Sequence, residues 1–572
     1  MLMLIETVLT VAAFVLSVTA ADLGSHSFER LENIFRTLGR RQTLSILIVA
    51  MSALAARAVV FPVLPVPVPQ VDDEFSHLLL ADTLLHGRLA NPTPAMWVHL
   101  ETLEVNMKPT YASVYPPMQG TFLAAGRLLT GQPFGGVMLS VAVMCGAICW
   151  MLQGWMPGEW ALLGGLLAVM RFGIFGYWAD GFMGGAPAAI GGALALGAVP
   201  RIKRDFRARD AVILGLGFSI LANSRPYEGF VLSAVIGVTI LYWLLKEPNL
   251  NPGTALARLV TPLIIVVTIG AVATGYYFWR VTGNPLRTPY QVNWETYGMM
   301  PKFVWQSLRA KQAPALRHEA LKDFYYVWEY ATYASTRTAK GLLTEWAIRL
   351  EQDWVFYLGP TLSLPLIVAV ATVPYGFGWK KLDANTRFLF LTTSIFGAGV
   401  AVEMFSFPHY AAPITCAIIA FVLLAMRYIR TQKYRGKPFG LFLTRAIPVV
   451  CLIVLVLRAA ATPLHIPLTP SYLPTIYNAA RADIPSSSLA ARLESTPGEQ
   501  LVIVHYLPGS EDWMGWVHND ADIDHSKIVW AWDMGNEKNR ELVEYFRGRR
   551  VWLVNAGDHP PQLTPFVDET GR

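Results

Sequence analysis

The sequence has little charge for its length. Of its 572 residues, 15% are charged and 53% are hydrophobic, and the mean hydropathy is +0.39. Soluble globular domains carry about 25% charged residues. The composition therefore excludes a soluble multidomain protein and predicts an integral membrane protein.

Cysteine is scarce and internal repeats are absent. The 4 cysteines (Cys145, Cys149, Cys416 and Cys451) all lie in apolar segments. Their spacing matches neither a disulfide framework nor a metal-binding motif, so we expect small packing residues. Many secondary transporters are built from internal repeats. The lack of a repeat, together with ionisable residues that cluster in loops, therefore disfavours a transporter.

Long apolar runs are abundant instead. A stretch of about 20 apolar residues spans the hydrocarbon core of a bilayer. Such stretches lie near residues 1–20, 46–66, 134–154, 159–176, 181–200, 211–224, 229–245, 259–279, 354–378, 387–403, 411–428 and 443–462. We predict an α-helical polytopic membrane protein with about twelve transmembrane helices.

The positive charge is distributed in a way that predicts the orientation. Segment 1–20 lacks the basic start of a signal peptide, which favours a first helix whose N-terminus is outside. The basic segments 21–45, 201–209, 380–381 and 427–445 then all face the cytoplasm, as the positive-inside rule requires. The net charge of +6 reflects topology and anionic lipid, and indicates no nucleic-acid partner.

We predict two domains. Residues 1–462 form the transmembrane domain, with a first external loop at 67–133 and a second large external loop at 280–353. Residues 463–572 alternate between helical and strand patterns, with strands expected at 501–506, 527–532 and 550–555. This alternation predicts a small α/β domain outside the membrane. It contains no glycine-rich phosphate loop and no Ser/His/Asp arrangement, so we expect it to recognise an acceptor or a partner.

Three consecutive acids, Asp72, Asp73 and Glu74, follow the second apolar segment directly. Charges of one sign are costly to hold near a membrane interior. Such a run indicates a cation site, a proton acceptor or a solvated helix N-terminus, where acids favour the helix dipole.

The order of motifs in the first loop distinguishes between these alternatives. The residues of these motifs are, in chain order, Asp73, Glu74, Ala81, Leu85, Gly87, Tyr115, Pro116, Pro117 and Gly131. In this order and topology the loop resembles the GT-C glycosyltransferases, and most of all the branch of protein mannosyltransferases and lipid A aminoarabinose transferases. The resemblance implies a GT-C-like fold and transfer of a hexose or pentose from a polyprenyl-phosphate donor. The acceptor would be a lipid, glycan or protein on the external face of a bacterial inner membrane.

The resemblance also implies roles for the acids. Transfer requires a base that takes a proton from the acceptor hydroxyl. Asp73 matches the family's aspartate, with Asp72 as the alternative, and neighbouring like charges would raise its proton affinity. Glu74 is expected to assist the base or to hold a metal ion. A divalent metal ion is the candidate cofactor, although the sequence contains no complete ligand set.

Substrate binding requires external groups that face the donor phosphate. The candidates are Lys108, Tyr115, Asp180, Arg225, Glu228, His409 and Tyr410. Arg225 precedes a helix-breaking proline, and its guanidinium suits phosphate oxygens. Plainer interpretations stay open: Arg225 pairs with Glu228, and His409 is an ordinary loop histidine. The glycine-rich stretch after Asp180 departs from the family pattern.

Two other functions stay open at this point. One is a transporter or lipid flippase in which the same charged residues line a path. The other is a non-catalytic envelope assembly protein that acts through residues 463–572.

Overall fold

The protein is described here from a computed structural model that covers all residues except 248–250, 310–314, 375–377, 482–483, 509–513, 559 and 567–572. Helices dominate the described residues. In chain order they are α1 (Leu2–Thr19), α2 (Ser25–Gly39), α3 (Gln42–Val59), α4 (Asp72–Leu85), α5 (Met118–Thr130), α6 (Phe134–Trp155), α7 (Gly158–Phe172), α8 (Ala186–Asp205), α9 (Ala208–Ala222), α10 (Pro226–Lys246), α11 (Pro252–Ala255), α12 (Thr261–Thr282), α13 (Pro289–Thr296), α14 (Glu319–Lys322), α15 (Glu329–Ser335), α16 (Ala339–Tyr357), α17 (Gly359–Thr372), α18 (Ala384–Ala401), α19 (Thr415–Ile429), α20 (Phe439–Ala459), α21 (Pro485–Glu494) and α22 (Asn536–Tyr545).

Seven helical stretches of the described chain are long and apolar enough to cross a membrane. They are Leu2–Thr19, Gln42–Val59, Phe134–Trp155, Pro226–Lys246, Pro252–Thr282, Ala412–Ile429 and Phe439–Ala459. The pair α16–α17, bent by 101°, adds an eighth if it forms one span. These helices support a polytopic membrane protein.

The predicted number of about twelve spans is not confirmed. Helices do occupy the remaining predicted segments, as α7, α8, α9 and α18. However, α7 and α9 have only 15 residues each, which is shorter than the roughly 20 residues that span a bilayer. Helix α8 ends in the charged residues Arg201, Lys203, Arg204 and Asp205, which lower its hydropathy.

Small residues bring the apolar helices close together. Helices α8 and α9 meet at Gly191 and Gly217, where a Cβ atom on Gly217 would lie 2.9 Å from the Gly191 carbonyl oxygen. Helix α5 meets α6 in the same way, at Gly126 and Gly136. Such small residues are the usual means of close helix packing in membranes. The first loop is thereby fixed to the membrane domain through α5.

The first loop consists of α4, a short antiparallel hairpin and α5. The hairpin pairs β1 (Val105–Asn106) with β2 (Ala112–Ser113). Helix α4 packs on α5 where Leu80 covers Gly120, whose added Cβ would lie 2.5 Å from the leucine side chain. The acidic start of α4 is therefore fixed to the apolar helices through α5.

The C-terminal residues form a small sheet domain at the predicted positions. After the short pair β3 (Pro470–Ser471) and β4 (Ala479–Ala480), the strands are β5 (Gln500–His505), β6 (Ile528–Trp532), β7 (Arg550–Asn555) and β8 (Thr564–Pro565). The sheet order is β6-β5-β7-β8, with the first three strands parallel. One sheet face packs against the first loop, where Ile503 and Val529 share a core with Leu79 and Val105. The domain boundary at 462/463 and its side of the membrane stay predictions.

Candidate active site

Glu74 links α4 to the glycine-rich segment that precedes α8. Its Oε2 accepts hydrogen bonds from the N–H groups of Gln70 (2.6 Å) and Val71 (3.4 Å), and Oε1 accepts one from Phe182 (2.6 Å). A side chain at Gly181 would lie 2.7 Å from Oε1. Burial raises the pKa of Glu74 to about 7, although the three N–H donors oppose this rise. Both carboxyl oxygens are thus engaged in an anchoring contact.

Asp72 faces the C-terminal domain. Its Oδ1 lies 2.8 Å from His518 Nε2 and accepts a second hydrogen bond from the N–H of Gly515 at 3.3 Å. Both residues are distant in sequence from the first loop, so no local pattern predicts this contact. It leaves Asp73 as the acid that faces Tyr115.

Asp73 accepts a hydrogen bond from the Tyr115 hydroxyl. Tyr115 is itself fixed, because its N–H donates to Ser113 Oγ (3.1 Å), which lies 2.7 Å from Ser76 Oγ on α4. Burial raises the pKa of Asp73, and the nearby charge of Asp72 adds to this, whereas the Tyr115 hydrogen bond opposes it. A carboxylate with a raised pKa is a stronger proton acceptor.

Glu104 is a site residue that the sequence analysis missed. Its backbone has a left-handed φ of 55°, and its carbonyl accepts hydrogen bonds from Ser76 Oγ (2.6 Å) and the Val114 N–H (3.3 Å). Burial raises the pKa of Glu104 well above its usual value, as does the charge of Asp73, while the Tyr115 hydroxyl opposes the shift. Asp73 and Glu104 therefore both interact with the Tyr115 hydroxyl.

Arg225 provides the positive charge of the site. It directly precedes α10, and its guanidinium lies 3.8 Å from the ring centroid of Tyr410. Its Nε is 3.5 Å from Glu228 Oε1, so the predicted alternative pairing is present. Its Nη2 is buried and has no hydrogen-bond partner among the residues that the structure describes. The charge of Arg225 also opposes the raised pKa of Asp73, which places the two groups within electrostatic reach.

Two neutral histidines lie within electrostatic reach of Arg225. His409 Nδ1 lies 3.0 Å from the Tyr177 hydroxyl, and burial lowers the pKa of His409 well below its usual value, helped by the charge of Arg225. His77, one turn after Asp73 on α4, packs its ring 4.3 Å from that of Tyr115. Burial lowers the pKa of His77 to about 3, again with help from Arg225. Neutral imidazoles can donate or accept hydrogen bonds without adding charge.

Two predicted substrate-binding residues contact partners outside this group. Asp180 Oδ1 is 3.2 Å from Arg57 Nη2 in a buried ion pair. Arg57 also donates hydrogen bonds to the carbonyls of Leu64 (2.7 Å) and Pro65 (3.1 Å). The exposed Lys108 places its Nζ 4.0 Å from the Trp97 ring centroid. The structure thus brings Asp73, Tyr115, Arg225, His409 and Tyr410 together, whereas Asp180 pairs with Arg57 and Lys108 lies over Trp97.

The long loop 280–353 contributes Tyr290, which the sequence analysis did not single out. Its ring centroid lies 5.6 Å from that of Tyr115, at an edge-to-face angle of 88°. Tyr290 interacts electrostatically with Arg225 and Glu104 as well. The aromatic richness of 280–353 was the available signal, but it did not distinguish this tyrosine from the others in the loop.

The described ranges contain no ligand set for the candidate metal ion. No group of three or more His, Cys, Asp or Glu side chains there is arranged to hold a metal ion. Asp72 Oδ1 and both carboxyl oxygens of Glu74 have other partners, as described above. We therefore assign no chemical step to a metal.

Comparison with known proteins gives structural neighbours only. No family model and no curated protein matches the sequence. The apo oligosaccharyltransferase of Archaeoglobus fulgidus is similar over 90% of this chain and 69% of its own, with 10% identity and a TM-score of 0.49. The same organism's AglB, in complex with an inhibitory peptide and a dolichol-phosphate, has a TM-score of 0.47 over the same shares, with 9% identity.

A second neighbour is ArnT from Cupriavidus metallidurans. Its apo structure is similar over 88% of this chain and 92% of its own, with 14% identity and a TM-score of 0.44. Likeness at these levels assigns no role to any residue of this chain.

Proposed function

We propose that the protein is a membrane glycosyltransferase that moves a sugar from a polyprenyl-phosphate donor to an acceptor hydroxyl. The observation that supports this best is the arrangement around Arg225. A carboxylate with raised pKa, Asp73, lies within electrostatic reach of its guanidinium. Tyr410 stacks on the guanidinium, His409 is also within its electrostatic reach, and the buried Nη2 has no partner in the described structure.

These groups suit an inverting displacement. Asp73 takes the proton of the acceptor hydroxyl, and the acceptor oxygen forms a bond to the anomeric carbon. The bond between that carbon and the phosphate oxygen breaks, and the lipid phosphate leaves with the electron pair. Arg225 stabilises the leaving phosphate with charge-assisted hydrogen bonds, while the Tyr115 hydroxyl orients Asp73. Inversion of configuration follows from the family resemblance.

A lipid-linked donor fits the position of the site. Arg225 lies at the start of α10, one of the helices able to cross a membrane, and His409 shortly precedes another. A polyprenyl chain can lie among such helices while its phosphate reaches their ends. Structures of ArnT and AglB contain undecaprenyl phosphate and dolichol-phosphate, respectively. We further propose that the site faces the outside of a bacterial inner membrane, with 463–572 helping to bind the acceptor.

Donor turnover by the purified protein tests this function. The protein in liposomes is incubated with a panel of undecaprenyl-phosphate sugars, and release of undecaprenyl phosphate is followed by mass spectrometry. We expect release with at least one sugar. If intact donor instead crosses between leaflets without release of the lipid phosphate, the flippase interpretation replaces the transferase.

A further inference from the structure

A segment of the C-terminal domain, Gly515–Ala521, lies directly on the first loop; we refer to it as the docking segment. The Tyr111 hydroxyl donates a hydrogen bond to the Asn519 carbonyl (2.8 Å), and the Ala521 N–H donates to Asp82 Oδ2 (2.9 Å). Asp82 lies near the end of α4. The docking segment therefore follows α4 towards its acidic N-terminus.

The contact closest to the proposed base is made by His518. Its Nε2 lies 2.8 Å from Asp72 Oδ1, and its ring stacks on Phe75 with centroids 4.0 Å apart and planes 2° apart. The His518 side chain is 9% exposed and that of Asp72 is 7% exposed. A hydrogen bond to a carboxylate is strong where water is excluded, and its loss leaves a buried group unpaired.

Helix geometry makes this contact relevant to Asp73. Successive residues on an α-helix point about 100° apart, so Asp72 and Asp73 face different surroundings. Asp72 faces the docking segment, whereas Asp73 faces Tyr115. The residue that precedes α4, Val71, has no side-chain oxygen that could cap the helix. If His518 were removed, only the longer hydrogen bond from the Gly515 N–H, at 3.3 Å, would hold the Asp72 carboxylate away from the Tyr115 hydroxyl.

We propose that His518 is a positioning residue of the active site. It holds Asp72 and the first turn of α4, so that Asp73 rather than Asp72 meets Tyr115 and the acceptor hydroxyl. The C-terminal domain thereby completes the site, beyond any part it has in acceptor binding. This inference rests on the proposed function, because it assigns the acceptor proton to Asp73.

Kinetics of docking-segment variants test the proposal. The full-length protein and its His518→Ala, His518→Gln and His525→Gln variants are compared in turnover of the undecaprenyl-phosphate sugar that the wild type uses. Glutamine can place an N–H near the position of Nε2, so it tests for rescue. His525 is an exposed histidine 3.0 Å from Asp522 and serves as the matched control.

We expect His518→Ala to lower kcat about 10- to 100-fold, the loss that a displaced reacting group causes. The donor KM should stay within about twofold, because the phosphate-binding groups are untouched. His518→Gln should recover most of the activity, and His525→Gln should match the wild type. Size-exclusion profiles and thermal unfolding identify any variant that fails to fold. If His518→Ala does not fold, the kcat of the folded His518→Gln variant tests the proposal.

Three results would overturn the proposal. These are an unchanged kcat in His518→Ala, a loss expressed only in KM, or a glutamine variant as impaired as the alanine variant. The Asp73→Asn variant distinguishes failure of this inference from failure of the proposed function. If Asp73→Asn is inactive while His518→Ala equals the wild type, this inference fails and the proposed function stands. If Asp73→Asn retains full turnover, or no donor is used at all, the proposed function fails and the inference with it.

Discussion

The guanidinium of Arg225 stacks 3.8 Å from the ring centroid of Tyr410 and keeps one nitrogen, Nη2, buried without a partner in the part of the chain that the structure describes. A buried donor without an acceptor is costly, and such groups recur at functional sites. Its Nε lies near Glu228, so this pairing helps to fix the guanidinium but provides no acceptor for Nη2. A phosphate oxygen is the acceptor that would complete this arrangement.

Replacement of Arg225 by lysine should therefore weaken binding of undecaprenyl phosphate. Lysine keeps the charge but loses the planar fork and the stacking. We expect Kd to rise about 10- to 100-fold, as for the loss of a charged hydrogen bond. Binding is measured by microscale thermophoresis in detergent. Arg280→Lys is the control, because Arg280 is exposed and donates to the Tyr276 hydroxyl at 3.3 Å. An unchanged Kd in Arg225→Lys would contradict the assignment.

The buried Arg57–Asp180 pair should matter for stability. Removal of one partner leaves the other charge buried and unpaired, which destabilises proteins by about 3–5 kcal/mol. Asp180→Asn and Arg57→Met should each lower the thermal unfolding temperature, and the double variant Arg57→Met/Asp180→Leu should recover part of the loss. The exposed pair Arg547–Glu544 gives the control. A stable Asp180→Asn protein with weakened donor binding would favour the substrate role predicted from sequence.

Acid should destabilise the fold through its buried histidines. The pKa of His77 is about 3 in the folded protein and near 6.5 when unfolded. Below pH 6.5 the unfolded chain binds a proton that the folded chain does not, so the free energy of unfolding decreases as pH falls towards 3. Replacement of His77 by asparagine should reduce this dependence. Thermal unfolding between pH 7.5 and pH 5 measures it, and equal slopes in both proteins would refute the assignment.

Much of the fold could be predicted from local sequence patterns. Runs of apolar residues predicted where the membrane helices lie, because a stretch of about 20 apolar residues is a strong signal within one segment. Alternation in the C-terminal region predicted strands close to their observed limits, such as Arg550–Asn555. The number of spans was less predictable, since α7 and α9 are short and rely on packing against their neighbours.

Long-range contacts could not be predicted from the sequence. The Asp72–His518 contact joins residues 446 positions apart, and Arg57–Asp180 joins residues 123 apart. The periodicity of residues within one helix or strand does not predict contacts between such distant residues. The left-handed backbone of Glu104 is also invisible to propensity, because glutamate rarely adopts it. For these reasons the sequence left open which aspartate is the base, whereas the two aspartates differ clearly in their observed neighbours.

The most direct test of the account is single-turnover consumption of an undecaprenyl-phosphate sugar by Asp73→Asn. The variant keeps the shape of the side chain but removes the proton acceptor, and Glu544→Gln at an exposed site serves as the control. We predict a rate about 100- to 10,000-fold below that of the wild type, as for the loss of a general base. Binding of undecaprenyl phosphate should remain within about twofold. Consumption of the donor by Asp73→Asn at the wild-type rate would contradict the account.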